Sequence, residues 1–176
     1  MRNGNTMNVA AITKDEILEI LQEVKDPEIP AVSVIEMGMV REVIVSDNQV
    51  KIVITPTYSG CPAMGWIHNE IKKVLELEGI SNLIIETRLS PAWTTDWMSE
   101  ETKLKLKESG IAPPQNKTND FDGSDLFNII KVPAAIICPF CDSDDTKMIS
   151  EFGSTACKSL HYCNSCLQGF DHFKCH

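Results

Sequence analysis

Ile17, Leu18, Ile20, Leu21 and Val24 recur at helical spacing, the pattern of one buried helix face. Thr13-Lys14-Asp15-Glu16 just ahead of them fits a capping box, with Thr13 as N-cap and Glu16 as N3, and Pro27 and Pro30 in DPEIP stop the helix. The period then changes. Val40–Val45 and Val50–Thr55 are rich in β-branched residues and are separated by SDNQ, which predicts a β-hairpin. Pro62 suits the first turn of a second helix running to about Glu78 and closed by Gly79. Leu83–Leu89 reads as a third strand, and Ser99–Ser109 as a short charged helix ended by Gly110 and by Pro113 and Pro114. Residues 112–131 are polar and contain glycine and proline, the composition of a linker.

The pattern predicts an α/β (α+β) chain in three parts: a domain over residues 13–111, a linker over 112–131, and a cysteine-rich module over 132–176. That last module is near the size, about 40 residues, at which a small core needs a metal to hold it. There is no internal repeat.

Charge removes two function classes. The formal net charge is −9 and no segment reverses the sign, so the chain has no electrostatic footprint for nucleic acid or for an anionic membrane. No apolar run approaches the roughly 20 residues of a membrane span, and MRNGNTMNVAA lacks a signal peptide's apolar core. Seven cysteines without an export signal read as reduced thiols or metal ligands, and a cytoplasmic protein is expected.

Six of the seven cysteines lie in the tail. Cys138-Pro-Phe-Cys141 and Cys163-Asn-Ser-Cys166 are two CxxC pairs at nearly the spacing of a zinc ribbon. Each pair places two thiolates on one side of a metal, and two pairs complete a tetrahedral four-sulfur site. Iron also fits four thiolates. Zinc is the expected ion, in a structural role, because the site leaves no open position. Lys147, Lys158 and Lys174 are too few to neutralise phosphates. Cys157 and Cys175 lie outside the pairs. They read either as a packed thiol and a chain-end thiol, or as a second pair that handles a labile metal with His172 or His176.

Cys61 stands apart, in TPTYSGCPAM. Just before a helix its thiolate gains from the positive end of the dipole, and Thr55, Thr57, Ser59 and Gly60 make a polar loop open to close approach. It reads as a displayed soft ligand or as a buried capping residue. His68 is seven residues on, about 10 Å along a helix, too far to act as its base. Asp26 and Glu28 of DPEIP read as turn and cap residues.

DPEIPAVSVIEMGMV and PTYSGCPA resemble the small α/β domain of iron–sulfur-cluster assembly factors of the SufT type. The tail, above all FGSTACK and FDHFKC, resembles the zinc ribbon of the PaaD family of phenylacetate degradation. Together the two likenesses cover the chain from about Asp15 to His176. They imply an accessory protein of phenylacetate catabolism that assists iron or iron–sulfur-cluster maturation of the multicomponent phenylacetyl-CoA 1,2-epoxidase. The other reading is a non-catalytic structural subunit of that complex.

No catalytic activity of its own is implied. The chain carries no di-iron ExxH pair, no GxGxxG and no plant-type ferredoxin run. Implied cofactors are a structural zinc and a transient iron or iron–sulfur cluster. Implied partners are other epoxidase components or iron–sulfur assembly proteins, and a homodimer is compatible. Cys61 falls on the cysteine that such domains display, with Thr57, Asp26 and Glu28 on polar positions near it. Tyr58 stands where those domains often carry a second threonine.

Overall fold

In the computed structural model, Thr13 caps the first helix, α1 (Lys14–Leu21), through both halves of the predicted capping box. Its Oγ1 accepts from the Glu16 N–H at 3.2 Å, and Glu16 Oε2 accepts from the Thr13 N–H at 2.7 Å. The structure describes residues 12–46, 49–115 and 135–174. The N-terminal MRNGNTMNVAA, the tip of the SDNQ turn, residues 116–131 of the predicted linker, Cys175 and His176 lie outside the described residues.

The chain divides into two compact units after Leu106. In the first, α1 ends at Leu21, so the prolines of DPEIP have another use. Pro27 lies in the turn, and Pro30 within the second strand, of a short hairpin of β1 (Lys25–Asp26) and β2 (Ile29–Ser33). Asp26 Oδ1 closes its turn by accepting from the N–H groups of Glu28 at 2.8 Å and Ile29 at 3.1 Å.

β3 (Val40–Ser46) and β4 (Gln49–Ile54) form the predicted antiparallel hairpin. The chain then crosses through α2 (Met64–Leu77) to β5 (Leu83–Thr87), which lies parallel to β4 in a sheet of order β3-β4-β5. β4 is the central strand, and Val50, Ile52, Val53 and Ile54 are all buried. Ile67, Ile71 and Leu75 recur every four residues on α2 and are buried completely. Each such side chain contributes roughly 1.5–3 kcal/mol by leaving water.

Gly38 is required by its surroundings. Its φ is +66°, and a Cβ there would lie 2.8 Å from Trp97 Cβ. The Arg41 guanidinium sits 3.4 Å above the Trp97 ring, and Trp93 Nε1 donates to the Met37 carbonyl at 2.9 Å. α3 (Glu100–Glu108) starts on Ser99, whose Oγ accepts from the Thr102 N–H at 3.1 Å. Glu36 is half-buried. Burial would raise its pKa, but hydrogen bonds from Lys105 and Ser33 outweigh burial and hold its carboxyl below the usual value.

The second unit begins inside α3. Its sheet has the order β6-β9-β8-β7, from β6 (Ile111–Ala112), β7 (Thr146–Ser150), β8 (Lys158–Cys163) and β9 (Gly169–Phe173). β6 runs parallel to β9, and the others pair antiparallel. Ile111 and Ala112 thus belong to the cysteine-rich unit. Gln115 Nε2 donates to the Ala135 carbonyl at 3.0 Å, which holds together the two ends of the stretch between them. Among the described residues no helix is long and apolar enough to cross a membrane.

Candidate functional site

Phe170, Phe173 and Ile111 are the large apolar side chains buried in the second unit among the described residues. Its buried cluster is Ala112, Cys138, Cys163 and Phe170, with Ile136 and Cys166 packed against it. Three of those six are members of the CxxC pairs. The Sγ atoms of Cys138, Cys141, Cys163 and Cys166 all lie within 4.8 Å of one another. Cys138–Cys166 and Cys141–Cys163 are each 3.6 Å apart. Tetrahedral zinc with Zn–S bonds of about 2.3 Å needs sulfur–sulfur edges of about 3.8 Å, so the donor set fits the ion.

The two turns that hold these thiols share one geometry. The Cys138 N–H donates to the Ser143 carbonyl and the Cys163 N–H to the Gln168 carbonyl, both at 2.9 Å. The Asp142 N–H donates to the Cys138 carbonyl and the Leu167 N–H to the Cys163 carbonyl, both at 3.0 Å. Each turn therefore puts the residue after its second cysteine at positive φ, Asp142 at +57° and Leu167 at +62°. Thiols this close cannot all ionise in isolation. The Cys166 N–H, 3.5 Å from Cys163 Sγ, brings the Cys163 thiol down to about 6. Burial, reinforced by neighbouring thiols, pushes Cys166 up to about 12. A divalent soft cation at their centre removes that conflict.

The same sheet buries a polar group that sequence reading passed over. Ser159 Oγ lies 3.0 Å from His161 Nε2 and 3.3 Å from His172 Nδ1, and all three residues are buried. Burial, then the charges of His161 and Lys174, lower the His172 pKa to about 4. Lys158 is also buried and pairs with Asp171 at 3.5 Å. Gly153 is needed beside it, because a Cβ would lie 2.5 Å from Asp171 Oδ1. Gly153, Lys158, Asp171 and His172 fall in FGSTACK and FDHFKC, the stretches that carry the ribbon's resemblance, whereas Ser159 and His161 lie outside them. Cys157 is buried with its Sγ 3.1 Å from Thr155 Oγ1, and the pairing with Cys175 falls outside the described residues.

In the first unit, Cys61 and Thr57 share the loop that follows β4. Thr55 and Thr57 are buried and Cys61 is half-exposed. The Cys61 N–H donates to the Tyr58 carbonyl at 3.2 Å, closing a tight turn. The helix start needs a correction. α2 begins at Met64 with Ala63 as its N-cap, so Pro62 precedes the helix and Cys61 stands two residues before the cap. The dipole acts within the first turn, so Cys61 gains less from it than the sequence suggested. His68 Nε2 lies 3.0 Å from Thr87 Oγ1, engaged at the end of β5. Asp26 and Glu28 share the β1–β2 turn, where Asp26 is buried and braces the backbone.

Two family models match the chain. The PaaD zinc beta ribbon domain matches residues 127–174, and the iron-sulfur cluster assembly protein family matches residues 14–82. An Escherichia coli (strain K12) protein, named as a subunit of "Putative 1,2-phenylacetyl-CoA epoxidase", is 41% identical over 160 residues, covering 91% of this chain and 92% of that protein. The chain belongs to the PaaD family. Its first unit has relatives of its own. A Porphyromonas gingivalis protein named as an Fe-S protein maturation auxiliary factor is 36% identical, covering 53% of this chain and 90% of its own length. SufT of Staphylococcus aureus, named likewise, is 36% identical, covering 46% of this chain and 93% of its own. A crystal structure of a domain of unknown function, DUF59, from Bacillus anthracis aligns at 29% identity and a TM-score of 0.49, over 52% of this chain and 89% of that one. The assembly-family match includes Asp26, Glu28, Thr57 and Cys61.

Proposed function

We propose that this PaaD-family chain is an accessory protein that assists iron or iron–sulfur-cluster maturation of a phenylacetyl-CoA epoxidase. The supporting observation is the partly exposed thiol of Cys61, in a loop that also holds buried Thr55 and Thr57, within a unit whose relatives are named as Fe–S maturation factors. The iron or cluster is cargo. Cys61 would contact it transiently, and Thr57, Asp26 and Glu28 would line the approach. Reduced thiols suit the cytoplasm.

The ribbon has a different task. Cys138, Cys141, Cys163 and Cys166 would hold one zinc, which supplies folding free energy to that unit. A four-thiolate site has no open position for a reacting group.

The test is complementation of a strain lacking the protein. Cys61→Ser should keep the fold and the zinc but lose support of epoxidase activity, because serine stays protonated at neutral pH and binds soft metal poorly. Full activity with Cys61→Ser would overturn the maturation role. One observation favours a second reading, a structural subunit: the E. coli relative is named as a subunit of the epoxidase. In that case the chain would be stoichiometric in the purified active complex, whereas a maturation factor would be absent from it.

A further inference from the structure

The four ribbon sulfurs are not equally protected. Cys138 and Cys163 are fully buried, Cys166 is partly buried, and Cys141 is exposed. Phe140 and Asp142, on either side of Cys141, are exposed with it, so this corner of the site faces solvent. The two turns share their hydrogen bonds, and the difference between them is one of burial. Burial protects a structural sulfur, whereas an exposed one is the sulfur that solutes reach.

Cys141 Sγ lies 3.6 Å from Cys163 Sγ, which belongs to the other turn. A disulfide between them needs about 2.05 Å, a closure of roughly 1.5 Å. Such a closure acts on the fold itself. Cys163 ends β8, where it pairs with Thr146 of β7, and it is part of the buried cluster with Ala112, Cys138 and Phe170.

We propose that the ribbon is a peroxide-sensitive zinc switch, in which exposed Cys141 is oxidised first and buried Cys163 resolves it. The Cys141 thiolate attacks one oxygen of hydrogen peroxide, so that an S–O bond forms, the O–O bond breaks and hydroxide leaves. The Cys163 thiolate then attacks the sulfenic sulfur. An S–S bond forms, the S–O bond breaks, and a second hydroxide leaves. Two thiolates have given up two electrons, and one peroxide has become two hydroxides. Cys138 and Cys166 remain as two ligands where a structural zinc site needs four. Because the metal carries folding free energy, its loss opens the ribbon, and reduction in the presence of zinc closes it again. Charge selects the oxidant. Asp142, Asp144 and Asp145 are all exposed close to Cys141 in the chain and disfavour anionic oxidants, whereas hydrogen peroxide is neutral at pH 7. The switch rests on the zinc reading above and is independent of the role of Cys61.

The experiment uses the full-length zinc-loaded chain, with hydrogen peroxide as the oxidant. Zinc release is followed with a chromophoric chelator, and the first disulfide is mapped by mass spectrometry of alkylated peptides. The expected result is one zinc released per disulfide, Cys141–Cys163 as the first product, and recovery of bound zinc after reduction and addition of zinc. Cys141→His replaces the exposed sulfur by a nitrogen that still ligates zinc. It should keep one zinc and release it at least tenfold more slowly. Cys138→His makes the same exchange at a buried corner and should release zinc close to the wild-type rate.

A first disulfide that lacks Cys141, or equal release by the wild type and Cys141→His, would overturn the switch. If neither histidine variant holds zinc, the disulfide mapped in the wild type decides. A wild-type chain that binds no zinc overturns the zinc reading and the switch together. A zinc-bound chain that keeps its metal while peroxide consumes Cys61 overturns the switch alone. Cys61→Ser should release zinc as the wild type does, so failure of the maturation role leaves the switch standing.

Discussion

In the first unit three elements send large apolar side chains inward: Ile17 and Leu21 from α1, Ile52 and Ile54 from β4, Ile67, Ile71 and Leu75 from α2, all fully buried. In the ribbon unit the buried cluster is an alanine, a phenylalanine and two cysteines, and its strands expose Met148, Ile149 and Leu160. One unit has a large apolar core, and the other brings four sulfur atoms within reach of one ion. The cysteines follow the same division. Cys138, Cys141, Cys163 and Cys166 converge in the ribbon, and Cys61 lies partly exposed on a loop of the first unit.

The largest expected effect separates the two units directly. Chelation, or Cys138→Ser, removes a folding contribution on the order of 10 kcal/mol. NMR signals of the ribbon should collapse while those of the first unit stay in place. Loss of both sets together would mean that the units do not fold independently, and an unchanged ribbon spectrum would mean that the metal is not structural. The reverse perturbation is smaller. Ile71→Ala in α2 should cost roughly 2–5 kcal/mol in the first unit. Zinc affinity should stay as in the wild type, read by competition with a chromophoric chelator.

Acid should act on the ribbon through His172 as well as through the thiols. A folded pKa of about 4 against about 6.5 unfolded means that the neutral imidazole is favoured in the fold. Its stabilisation is fully present above about pH 6.5 and is lost as pH falls toward 4, an effect of roughly 3 kcal/mol. His172→Gln should flatten that part of the ribbon's pH–stability curve, followed by denaturant melts at fixed zinc. An identical slope in both proteins would remove His172 from the account. The smallest effect is Thr13→Ala, which breaks the capping box and should cost about 1 kcal/mol in the first unit alone.

Legibility in the sequence divides along the same line. The capping box at Thr13, the β3–β4 hairpin, α2, β5 and α3 could be read because periodicity and cap chemistry are local signals that burial reinforces. The four ribbon thiols could be read because metal geometry demands the CxxC spacing. The β1–β2 hairpin was hidden because Pro27 and Pro30 look like helix breakers, and a two-residue strand has no period. β6 was hidden for the same reason: Ile111 reads as the end of the first domain and Ala112 as the start of the linker until β9 pairs with them. The start of α2 was placed two residues early, since proline suits both a first turn and the turn before it. The Ser159–His161–His172 group had a signal in FDHFKC, but polar residues on a strand give no sign of being buried until the sheet is formed.

Metal content after anaerobic reconstitution with iron and sulfide tests the central claim, that the ribbon cysteines hold zinc while Cys61 meets a separate iron cargo. Zinc and iron per chain are measured in the wild type, in Cys61→Ser and in Cys166→Ser. The expected result is one zinc in the wild type and in Cys61→Ser, with iron uptake in the wild type that Cys61→Ser loses and Cys166→Ser retains. Equal iron in the wild type and Cys61→Ser, or iron that disappears with Cys166, would contradict it.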